Sequence, residues 1–140
     1  MAKTYDPKKL QPISPLDREC ALAWVRFWLR DKPDSEGNYS DRVLEDAEYY
    51  ALLVASAPVD LYALPAALIY YRPHVTAAQI LRSDPERAES VSYDGLSKTK
   101  RSVDALVDAI LEAGAAFDRL IPPGLLANED AANGILVLGL

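Results

Sequence analysis

Apolar residues recur at helical spacing along most of the chain. Leu16, Cys20, Trp24, Phe27 and Trp28 fall three or four positions apart and predict a first helix. Ser14 is placed to cap it, Pro15 suits the first helical position, and Asp17 falls in the first turn, where the dipole favours a carboxylate. Arg18, Arg26 and Arg30 lie largely off that stripe. The turn-rich stretch "DKPDSEGNYS" ends the segment. A second helix is expected after Ser40 as its cap. Its apolar face is Val43, Ala47, Tyr50, Ala51 and Val54, and its wet face is Asp41, Arg42, Glu45 and Glu48. Ala57-Pro58 closes it, because a residue before proline resists the helical region.

From Asp60 to Arg82 the pattern is helical but interrupted. Pro65 is placed to open a helix through "AALIYY", and Pro73 kinks or splits it before "TAAQILR". Residues 83–97 read as a connection, within which Ser90-Val91-Ser92-Tyr93 has strand-like residues but is too short to build a sheet alone. The last helix is the best defined. Val103, Leu106, Val107, Ile110, Gly114, Phe117 and Ile121 share one face, and Pro122-Pro123-Gly124 stops it. Residues 1–14 show no period and read as an extended arm. The expected fold is therefore all-α: a small helical bundle over 15–121, with an extended N-terminal arm (1–14), one extended loop (about 83–97) and a long C-terminal tail (122–140).

Composition narrows the function without naming it. The chain has 140 residues, half of them apolar, which suits one domain with a real core. Fifteen basic against twenty-one acidic residues, net charge −6, argue against a dedicated nucleic-acid grip. A single cysteine excludes an intrachain disulfide. "MAKTYDPKKL" has no apolar core of a secretory signal, and no stretch approaches the roughly 18 apolar residues of a bilayer span.

Candidate chemistry is sparse. His74 is the sole histidine, so a multi-histidine metal site within one chain is not available. It reads as a surface or kink-packing residue, and its use as a general base is the minor alternative. Cys20 lies on the Trp24 stripe and reads as a small buried hydrophobe. An EF-hand register on Gly37 puts Lys32 at the first ligand position and Val43 at the last, so it fails. Glu45 and Glu48 share a helix face without a histidine partner pattern, which reads as a solvated face. The expectation is no enzyme, no metal and no cofactor. Lys98, Lys100 and Arg101 gather where the last helix begins. Positive charge there opposes the dipole by a few tenths of a kcal/mol or more (~0.3–1) per charge. The cluster reads as solvated, or as a contact for an acidic partner or passing DNA phosphate.

The C-terminal run "NGILVLGL" raises a separate question, because nothing follows it to bury it. Ile135, Leu136, Val137, Leu138 and Leu140 would each gain roughly 1.5–3 kcal/mol on full burial. Ordering six residues costs roughly 1–2 kcal/mol each, so both sides stand near about 10 kcal/mol. A lone tail docks marginally. Backbone pairing to a sheet edge or repetition around a ring makes docking secure. From Pro122 to Leu140 the chain reaches at most about 60 Å, enough to enter a neighbour or to fold back on its own helices.

A helical domain, a loop reading "AESVSYDGLS", one strong helix and a long tail together resemble the head–tail adaptor proteins of tailed bacteriophages. The similarity covers roughly Leu16 to Phe117 in element order. In that family the loop often reads Ser, a glycine-containing spacer, then Tyr-Ser-Val-Ser-Tyr. Here Ser90-Val91-Ser92-Tyr93 matches and the glycine spacer is absent. The resemblance implies a ring-forming homo-oligomer, a dodecamer, in the virion neck, assembled in the host cytoplasm. The tail residues 135–138 and 140 would meet the portal protein, and Ser90, Val91, Ser92 and Tyr93 the next neck or tail protein (stopper or tail terminator). Double-stranded DNA would pass through without specific binding, and no reaction would be catalysed. The alternative is a small helical protein-binding or regulatory module acting as monomer or dimer.

Overall fold

The computed structural model describes residues 2–84 and 100–126. Helices dominate: α1 (Arg18–Trp28), α2 (Asp46–Ala55), α3 (Pro73–Ser83), α4 (Lys100–Ala113) and the short α5 (Ala115–Asp118). A 3₁₀ turn, Pro7–Leu10, precedes α1. Between α2 and α3 lies an antiparallel ladder of β1 (Val59–Asp60) and β2 (Leu68–Ile69), with Val59 opposite Ile69 and Asp60 opposite Leu68. The mostly helical expectation holds, and the ladder replaces the helix expected from Pro65. That proline follows a cis peptide and lies in the turn between the two strands. Pro73 does not kink a longer helix. It occupies the first turn of α3, where its missing N–H is no loss.

The ends of α1 differ from expectation in an instructive way. Asp17, not Ser14, is the cap: its carboxylate accepts from Glu19 N (2.9 Å) and Cys20 N (3.4 Å). At the other end Arg30 has φ 60°, the left-handed conformation. Arg30 N donates to Phe27 O and Asp31 N to Arg26 O (2.8 Å), the paired bonds of a Schellman turn. This turn folds Asp31 back under the helix.

There it meets Arg26, which the sequence places off the core stripe and the structure buries completely. Arg26 Nη2 bonds Asp46 Oδ1 (2.5 Å) and donates to Leu44 O (3.0 Å), and Nη1 lies 3.7 Å from Asp31 Oδ2. The guanidinium also stands over the Tyr49 ring, 4.8 Å from its centroid. Tyr49 in turn donates its hydroxyl to Asp31 Oδ2. Asp46 takes a further N–H from Thr4 (2.9 Å), and its own N–H donates to Ala2 O (2.7 Å). One cation thus ties α1, the loop after it, the start of α2 and, through Asp46, the N-terminal segment.

This network sets the phase of α2. The helix starts at Asp46 behind a Glu45/Glu48 capping box, with Glu48 Oε1 accepting from Glu45 N (3.2 Å). Ser40 instead holds a turn before it, through Val43 N to Ser40 O (3.1 Å). Tyr49 and Leu53 face inward, whereas Ala47, Ala51 and Val54 are exposed. Tyr49 must reach Asp31, and that requirement turns the helix away from the face expected.

Around this network the core is continuous: Cys20, Val25, Trp28 and Leu29 of the first segment, Ala77, Ala78 and Leu81 of α3, and Val103, Leu106, Val107 and Ile110 of α4. The last expected helix is broken at Gly114 into α4 and α5, yet every residue of its expected apolar face, Phe117 and Ile121 included, is buried.

Replacing Arg26 by Ala strands Asp31 and Asp46 beside a void. The expected loss is about 3–5 kcal/mol of stability, read from urea unfolding. Arg26→Met, which removes the charge but keeps volume, is expected to lose less.

Candidate functional site

The turn between β1 and β2 carries an apolar group that the core does not use. Leu61, Tyr62 and Leu64 are 72%, 92% and 93% exposed, and Val59 and Leu68 at the ladder are also exposed. Exposed apolar side chains grouped on one turn make this a candidate contact surface. The local reason is plain. Pro58 stops α2 from continuing, and two rungs of ladder are all that pairs the flanks. Tyr62 N is held by Asp60 Oδ1 (3.0 Å), so the side chains after it project outward.

The base of this hairpin is firmly attached. Tyr70 N donates to Pro58 O (3.0 Å), and Tyr71 N donates to Pro15 O (2.7 Å), the latter crossing to the segment before α1. Arg72 follows, and its guanidinium grips Asp118 of α5 with two bonds, Nε to Oδ1 (2.8 Å) and Nη2 to Oδ2 (3.1 Å). His74 Nε2 lies 3.1 Å from the same Oδ2, and opposite a carboxylate it is the nitrogen that carries the hydrogen. The imidazole is buried, stacked on Phe117 (6.2 Å between centroids) and edge-on to Trp28 (6.4 Å).

Gly114 makes room for it. A β-carbon there would fall 2.1 Å from His74 Cγ. The break between α4 and α5 is therefore where the histidine ring passes. His74 is neither a surface residue nor a kink filler, but half of a clasp between the hairpin's exit and α5. Burial pushes the His74 pKa down, against the pull of Asp118. For Asp118, burial acts upward, but the Arg72 hydrogen bond together with His74 outweighs it and holds the carboxyl below its usual value. Nδ1 is buried and makes no hydrogen bond among the described residues.

Other candidates have local explanations. Cys20 is buried with Sγ 3.6 Å from Pro12 O, and burial raises its thiol pKa, so the thiolate is disfavoured. The Asp34 carboxylate is occupied by Glu36 N (2.8 Å) and Asn38 N (2.9 Å), which close the loop around Gly37. Among the described residues no group of three or more potential ligands could hold a metal, and no helix is long and apolar enough to cross a membrane.

Of the residues singled out from sequence, Ser90, Val91, Ser92, Tyr93, Lys98, Ile135, Leu136, Val137, Leu138 and Leu140 lie outside the described residues. Lys100 and Arg101 begin α4. Leu and Ala in "LYALPAALIYY" suit the helix expected from Pro65, whereas Ile69, Tyr70 and Tyr71 suit a strand. The two prolines that bracket the start of the hairpin, Pro58 and Pro65, were the available signal for a turn.

The clasp predicts a sign for pH dependence. His74 is held neutral with a lowered pKa, so the unfolded chain takes up that proton first. Stability is full above about pH 6.5 and falls as pH drops through the folded value. Asp118, also lowered, removes more stability at pH below about 4. Urea midpoints measured from pH 8 to 5 (a range of about three units around the histidine value) should decline, and His74→Gln should flatten that decline. Gly114→Ala should destabilise by about 1–3 kcal/mol through overpacking against the ring.

Compared with protein-family models, with characterised proteins and with solved structures, the chain matches none.

Proposed function

We propose that this protein is a structural subunit of an assembly: a neck protein whose ring joins a phage portal to the next tail-side component and encloses the DNA channel. One observation carries the assembly part of this reading. Tyr62 and Leu64 stand almost fully in solvent and Leu61 largely so, on a hairpin whose base is clamped by backbone bonds and by the Arg72–Asp118 pair. A surface built this way is a presented contact, with little left to order on binding.

The phage assignment comes from the resemblance of element order and of the Ser90–Tyr93 stretch, and it takes the helices to be a small bundle with arms. The energetics suit a repeated contact. Burying each of the three hairpin side chains yields roughly 1.5–3 kcal/mol. Association of two bodies costs an estimated 4–15 kcal/mol, so one such contact is weak. Closure of a ring, with the apolar C-terminal run as a second contact on the portal, turns weak contacts into a stable object. The net charge of −6 suits a conduit that DNA slides past.

The test is the state of association. Light scattering of the purified protein should give a ring-sized multimer, alone or with a portal, and Leu61→Ser/Tyr62→Ser/Leu64→Ser should shift it to monomer with unchanged thermal unfolding. Removal of the residues after Pro123 should abolish incorporation into virions. A stable dimer indifferent to both changes would instead support a small binding module and overturn the neck reading.

A further inference from the structure

We draw no further inference here: the strongest candidate, the cavity of about 170 Å³ between the N-terminal segment, α1 and α2, gathers the carboxylates of Asp6, Glu19 and Asp46, which the fold already engages through Lys8 N, Lys9 and Arg26, and nothing else among the described residues there points to a ligand.

Discussion

A guanidinium removed from water is the constraint on which the rest of this structure depends. Arg26 sits inside the core with Asp46 at 2.5 Å and Asp31 at 3.7 Å. Burying a charge costs several kcal/mol unless its partners are close and correctly aimed. The Schellman turn that reverses the chain after α1 puts Asp31 in place. The capping box that starts α2 puts Asp46 in place, and Asp46 in turn binds the N-terminal segment through Thr4 and Ala2. Each of these local features has its own stereochemical reason. Their agreement around one cation is what makes the arrangement specific.

A second polar group of similar design lies on the other side of the core. Asp118 receives two bonds from Arg72 and one from His74, and the two donors flank the first residue of α3. The ring of His74 is accommodated only because residue 114 lacks a side chain. The consequence is mechanical. The exit of the hairpin is locked to α5, three residues before the chain turns at Ile121-Pro122. An exposed apolar loop without such a base would lose contact energy to its own ordering. Here the ordering is supplied by the fold.

The use of apolar residues follows from this division. The inner faces of the helices fill one core, and the remainder appears as a projection at 61–64, a recess over Leu52 and Ile80, and the C-terminal run of the sequence. Three carboxylates are already engaged: Asp34 on the surface with its own loop, Asp118 with Arg72, and Asp46 with Arg26.

The sequence by itself determined the mostly helical character, the first helix and which face of the last one is buried. Val103, Leu106, Val107, Ile110, Phe117 and Ile121 are all inside, and Cys20 is a buried small residue on the Trp24 stripe. These features are local: a period of 3.6, or a proline that cannot donate, is legible from neighbours in the chain. Arg26 lies four residues after Leu22 and three before Leu29, on a buried face other than the stripe taken from the sequence. The tertiary structure alone decided the phase of α2, the pairing of Val59 with Ile69, the break at Gly114 and the clasp on Asp118. Those depend on residues far apart in sequence, 18 positions from Tyr49 to Asp31 and 46 from Arg72 to Asp118. No local pattern encodes such a meeting. It follows from how several apolar faces share one core, and from the requirement that every charge trapped there be answered by another.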